Sequence, residues 1–161
     1  MQVTHGSTGP PLTGLELVSH AMKVAMVAHD GQHRTDPQTG RHTEPYFFHP
    51  VRVASAVSSY EAKAAALLHD VLEDTDWTLS DLKTQGFPEV VLEAVEALTR
   101  RKPPKHPEKE VFMAYVRRLS SNPIAREIKL ADMADNSSDQ APDAGVLKRY
   151  ARARKILEAA S

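Results

Sequence analysis

Cysteine is absent from the 161 residues, which excludes disulfides and thiolate ligation and leaves histidine and carboxylate side chains as the available metal ligands. Charge of one sign is also missing. Twenty lysines and arginines face 21 aspartates and glutamates, a formal net charge of −1. That balance argues against a polyanion-binding or membrane-coating surface, so a small anionic ligand would need a local basic cluster. Aromatic residues make up 6% of the chain, and none interrupts the basic, proline-broken run Arg100–Lys105. That run reads as a solvated loop, and no nucleic-acid partner is expected. No window is long and apolar enough for a membrane span, and Met1–Pro11 lacks the apolar core of a signal peptide, so cytoplasm is the default. Strict apolar alternation and internal repeats are missing too. The expected fold is all-α.

What is present suffices for one domain with a real core, at 41% apolar residues. Met1–Pro11 reads as a flexible leader, and residues 12–161 as a single helical domain. Thr13 with Glu16 predicts a capping box opening a helix to about Ala28, its apolar positions Leu17, Ala21, Val24 and Ala28 at helical spacing. Residues 31–45 predict a functional loop. A helix is expected over His49–Ser59, with Pro50 in its first turn, and an apolar one over Glu61–Leu72. Further helices are predicted at Thr78–Thr84, from Pro88 to about Leu98, at Glu108–Ser120, at Pro123–Asp135 and at Ala144–Ala160.

The most informative stretch is Leu67-Leu68-His69-Asp70-Val71-Leu72-Glu73-Asp74-Thr75. An apolar helix runs straight into four ionisable groups, each costly to bury unpaired, and a bound cation would neutralise some of them. On one continuous helix the pairs His69/Glu73 and Asp70/Asp74 share a side. His49, set in Pro45-Tyr46-Phe47-Phe48-His49-Pro50, and Asp132, an acid on the apolar run Ile128–Ala131, are candidates to join His69 and Asp70. Two imidazoles and two carboxylates without sulfur suit Mn²⁺, Fe²⁺ or Zn²⁺.

These stretches resemble the HD-domain metallohydrolases, and more narrowly the hydrolase domain of RelA/SpoT-type enzymes and small alarmone hydrolases. The resemblance rests on Ala28–Arg34, Pro45–Pro50, Ala65–Thr75 and Lys129–Asn136, in that order, and covers residues 13–158. It implies a single-domain helical bundle in which His49, His69, Asp70 and Asp132 hold one Mn²⁺. It implies that Glu73 and Asp74 serve a water that attacks the 3′-pyrophosphate of (p)ppGpp, releasing pyrophosphate. Arg34, Tyr46, Lys129, Asn136, Lys148 and Arg149 are the substrate-binding residues expected on this footing, Asn136 being placed for a ribose. The chain departs from the family at Thr35, where a second basic residue is usual, in a longer 35–45 loop carrying Arg41 and His42, and at Met133-Ala134-Asp135. The base, guanine or adenine, is therefore open.

Two other functions stay open at this point. The same ligands serve a phosphatase of another nucleotide, such as NADPH or a deoxynucleotide. A non-catalytic nucleotide-binding module is the third, and the Glu73-Asp74 pair argues against it. The chain is too short for the synthetase domain of the bifunctional enzymes, so degradation alone is expected.

Overall fold

The computed structural model describes residues 10–102, 110–139 and 142–160. Most of the expected leader, Lys105 and most of the rest of the Arg100–Glu108 loop, and Ser161 lie outside them. Nine helices and one short hairpin account for the regular structure among the described residues. Helix α1 spans Gly14–Ala28, β1 His33–Thr35, β2 His42–Pro45, α2 Phe48–Ser55, α3 Tyr60–Leu68 and α4 Val71–Asp74. They are followed by α5 Leu79–Thr84, α6 Glu89–Leu98, α7 Phe112–Leu119, α8 Pro123–Asp139 and α9 Ala144–Ala159.

The bundle is built around α3. Its residues Ala62, Ala64, Ala65, Ala66, Leu67 and Leu68 are all buried, and it packs against α1, α2, α6 and α8. A helix apolar all round from Ala64 to Leu68 belongs in the middle of a domain. The surrounding helices supply one stripe each: Leu17, Ala21, Val24 and Ala25 from α1, and Val91, Leu92, Val95 and Leu98 from α6. Ser59 opens α3, its hydroxyl accepting the Ala62 N–H at 3.0 Å. Ser59→Ala is expected to cost ~1 kcal/mol, read as a lower thermal midpoint.

Three local expectations are corrected. The helix predicted over Glu61–Leu72 stops at Leu68, and α4 is a separate single turn. The cause is His69 itself. Its Nδ1 lies 2.7 Å from the Ala66 carbonyl oxygen, the acceptor that an uninterrupted helix would offer to the N–H of Asp70. The loop 31–45 contains an antiparallel hairpin, pairing His33 with Pro45, Arg34 with Glu44 and Thr35 with His42. Strands of three and four residues are too short for alternation to register, and the turn supplies the order. Asp36 Oδ1 accepts the N–H groups of Gln38 and Thr39, and Gly40 takes φ +67°. Thr13 precedes α1 without a capping box, since its side chain accepts no bond from the first turn, which Gly14 enters at φ +57°. The capping box sits instead at Thr78 and Asp81, opening α5.

Other boundaries shift. Helix α2 ends at Ser55, α7 begins at Phe112, and α8 runs to Asp139, one turn beyond the expected end. Among the described residues no helix is long and apolar enough to cross a membrane.

Candidate metal centre

Four elements bring the expected ligands together. His49 stands in the first turn of α2, where Pro50 follows without losing a needed N–H. His69 and Asp70 form the break between α3 and α4, and Asp132 projects from the middle of α8. Ligand atoms of His49, His69 and Asp70 lie within 4.8 Å of one another. Asp132 adjoins them, its Oδ1 3.1 Å from His49 Nε2 and 3.7 Å from His69 Nε2. All but Asp70 are almost fully buried, so the charges need compensation inside the protein.

The imidazole orientations fit a cation. His69 Nδ1 faces the Ala66 carbonyl, which only accepts, so Nδ1 carries the proton and Nε2 presents a lone pair. His49 Nδ1 faces Asp135 Oδ2 at 2.7 Å in the same manner. Both Nε2 atoms therefore turn toward the carboxylates of Asp70 and Asp132. His69 Nε2 lies 2.9 Å from Asp70 Oδ2, yet it is buried with no hydrogen-bond partner among the described residues. An orphaned nitrogen among carboxylate oxygens, with its other nitrogen fixed by an outer acceptor, is the arrangement histidine adopts at metals.

Electrostatics point the same way. Burial opposes charge on His69, but Asp70 and Asp132 outweigh it, so without a cation they favour a proton at Nε2, the position that a metal ion would take instead. Burial likewise pushes Asp132 up, and Lys129, at 2.6 Å from its Oδ2, holds it well below the ordinary carboxylate range. Asp70 is held ionised mainly by His69 against the same desolvation. The Tyr46 hydroxyl, kept protonated by burial and by Asp70, donates to Asp70 Oδ2 at 2.5 Å.

A cavity of about 480 Å³ opens above this cluster. Arg34, Tyr46, Glu73, Lys129, Asn136 and Arg149 line it. Lys148 is exposed and Asp74 is exposed, and neither is among the described lining residues. Glu73 Oε1 accepts the Arg100 N–H at 2.8 Å, which fixes the carboxylate at the cavity wall. The Asp74 carbonyl oxygen accepts from Gln32 Nε2 at 2.9 Å, pinning the turn that carries both acids to the connection between α1 and β1. Arg34 is buried, and its guanidinium donates to Asn136 Oδ1 at 2.8 Å. Asn136 in turn donates through Nδ2 to Asp132 Oδ1 at 2.8 Å. The residue expected on a ribose is thus also bonded to a ligand carboxylate.

Sequence reasoning missed Asp135, which meets His49, Arg52 and Glu44 behind it, and the aromatic wall of Phe112 and Tyr115. The Lys129 ammonium lies 5.7 and 5.3 Å from those two ring centroids. The available signal was spacing: Asp135 follows Asp132 by three positions, as Arg52 follows His49, so each pair shares a helix face.

No family model matches the chain. Curated relatives do. The chain is 34% identical over 160 residues to the bifunctional (p)ppGpp synthase/hydrolase SpoT of Escherichia coli K12, an alignment covering 92% of the chain and 21% of the relative. Two proteins named guanosine-3′,5′-bis(diphosphate) 3′-pyrophosphohydrolase align similarly. The one from Haemophilus influenzae is 36% identical over 121 residues, covering 70% of the chain and 17% of that protein. The one from Aquifex aeolicus is 34% identical over 127 residues, covering 75% and 17%. The chain therefore spans about a fifth of the length of these relatives. Among solved structures, one reported as a metazoan ortholog of SpoT that hydrolyzes ppGpp superposes with a TM-score of 0.66 at 24% identity. It covers 96% of this chain and 88% of that one, and shows that the fold is shared.

Proposed function

The chain belongs to the RelA/SpoT-type HD hydrolases, and from that premise we propose that it hydrolyses the 3′-pyrophosphate of (p)ppGpp or of a close analogue such as (p)ppApp. The products are pyrophosphate and GDP or GTP, or their adenosine equivalents. The observation that carries the reading is the convergence of His49, His69, Asp70 and Asp132 beside Glu73 at the floor of a cavity walled by cations. Residues 12–161 act as one hydrolase domain in this reading, and its place is the cytoplasm, with its nucleotide.

Those four side chains would hold one divalent ion, assigned as Mn²⁺ with Fe²⁺ or Zn²⁺ suited to the same donors. When bound, the ion supplies positive charge that steadies phosphoryl oxygens and acidifies water. Glu73, held by the Arg100 N–H, takes the proton of the attacking water. The water oxygen forms the new bond to the phosphorus carried on the ribose 3′-oxygen. The bond to that oxygen breaks, and the oxygen leaves with a proton drawn from solvent, which we assign Asp74, exposed beside Glu73, to relay. Arg149 at the rim and Lys129 within meet the phosphates, and Lys148, exposed beside Arg149 on α9, adds positive charge near the mouth. Tyr46, Arg34 and Asn136 shape the floor while they hold Asp70 and Asp132.

Thr35 supports a second reading. It lines the cavity where the family motif carries a basic residue, and a site with less charge there suits a phosphomonoester such as that of NADPH, or a deoxynucleotide. Incubation with Mn²⁺ and ppGpp, ppApp, NADPH or dATP, with products resolved by anion exchange, separates the two. Pyrophosphate with GDP or ADP is expected, abolished by chelation and by Asp70→Ala. Orthophosphate from NADPH or dATP alone would overturn the alarmone reading.

A further inference from the structure

His49 is the ligand with the most elaborate support. Its Nδ1 meets Asp135 Oδ2 at 2.7 Å, and Asp135 is itself gripped from the other side. Arg52 Nε donates to Asp135 Oδ1 at 2.7 Å, and its terminal nitrogens donate to both Glu44 carboxylate oxygens at 3.0 and 2.7 Å. Arg34 stands 3.5 Å from Asp135 Oδ2, the oxygen that meets His49. Asp135 is largely buried, and the Arg52 guanidinium donates to both of its oxygens. A carboxylate gripped in this way accepts from the imidazole, so it fixes the His49 proton on Nδ1 and leaves Nε2 turned toward Asp70 and Asp132.

Two hydrogen-bond chains thus run from the hairpin to two different ligands. From β2, Glu44 reaches Arg52, then Asp135, then His49. From β1, Arg34 reaches Asn136, then Asp132. Arg34 and Glu44 are themselves partners across the hairpin ladder. The seating of the hairpin and the geometry of the two ligands are therefore one connected arrangement.

We propose that Asp135, braced by Arg52 and Glu44, is a positioning residue that orients His49 and sets the affinity of the centre for its divalent ion. The inference rests on the metal reading given above. Outer carboxylates of this kind orient an imidazole and raise its basicity, and their loss costs ~10–100-fold in metal affinity.

The test is calorimetric titration of Mn²⁺ into metal-free wild type, Asp135→Asn, Asp135→Ala and Glu44→Gln. Thermal unfolding of each metal-free protein is measured alongside. Asp135→Ala is expected to bind Mn²⁺ ~10–100-fold more weakly. Asp135→Asn, which still accepts the Nδ1 proton but lacks the charge, should fall between it and wild type, and Glu44→Gln should lose less than either. A residue that only stabilised the fold would lower the melting temperature without ordering Mn²⁺ affinity by charge. Binding by folded Asp135→Asn and Asp135→Ala within about twofold of wild type, far inside the expected range, would overturn the proposal. If Asp135→Ala does not fold, Asp135→Asn decides alone. A wild type that binds no Mn²⁺ would overturn the metal reading and this inference with it. Wild-type binding with unchanged variants would overturn only the inference.

Discussion

Glu73→Gln is expected to lower kcat by ~10²–10⁴-fold while leaving Mn²⁺ affinity and thermal stability close to wild type. Glu73 Oε1 accepts the Arg100 N–H, and a glutamine amide oxygen can accept the same bond, so the wall of the cavity keeps its shape. What disappears is the capacity to take a proton from water. Glu73 is not among the cluster of ligand atoms, so the pull of the centre on a cation should be unchanged. Single-turnover hydrolysis of ppGpp by the two proteins, each saturated with Mn²⁺, measures the effect. A rate within about threefold of wild type, far short of the expected loss, would remove Glu73 from the role of base and leave Asp74 to be tested in its place.

The second large effect concerns stability. Lys129 is nearly enclosed, with side-chain exposure of 14%, and its ammonium is paired at 2.6 Å with Asp132, exposed by 6%. Burial would drive Lys129 neutral, and Asp132 overrides that, so the pair is ionised inside the protein. Lys129→Met keeps the long unbranched stem against Phe112 and Tyr115 but leaves Asp132 without its strongest partner, close to the second carboxylate of Asp70. Removing one member of a buried pair costs ~3–5 kcal/mol, and a loss in that range is expected in urea denaturation of the metal-free protein. Saturating Mn²⁺ should shrink the loss, because a cation at the centre compensates the same carboxylate. A loss under ~1 kcal/mol without metal would show that Asp132 finds its compensation elsewhere.

The bundle was legible wherever helical apolar stripes were long, as in α1 and α6, whereas the capping box expected at Thr13 stands at Thr78 and Asp81. The grouping of His49, His69 and Asp70 is expected only once the His-Asp pair is taken together with the stretches around His49 and Asp132, since the pair alone is also compatible with a surface ion pair. The break between α3 and α4 was not legible. It depends on a side chain competing with the backbone for the Ala66 carbonyl, and periodicity carries no trace of that contest. The hairpin escaped for a related reason: its few paired residues are mostly polar, and its order comes from Asp36, Gly40 and the cross-links of Arg34 and Glu44. Arg34 illustrates the limit best. It is expected on the substrate, and its loop position gives no sign that the loop folds against α8 and draws the guanidinium inside onto Asn136. Asp135 was hidden for the opposite reason, as one acid among several on a helix.

The alanines of α3 have a consequence for how this sequence can drift over generations. Ala62, Ala64, Ala65 and Ala66 are fully enclosed, and their small size lets four other helices close around the segment that ends at His69 and Asp70. A buried leucine can be exchanged for isoleucine or methionine at similar volume, but a buried alanine has no such neighbours in side-chain space. Glycine loosens the helix by ~1 kcal/mol, and anything larger forces the surrounding helices outward, typically for ~1–3 kcal/mol. The segment leading into the ligands is therefore confined to a narrower alphabet than the outer stripes of α1 or α6, and change in this protein should accumulate at its periphery while its axis stays nearly fixed.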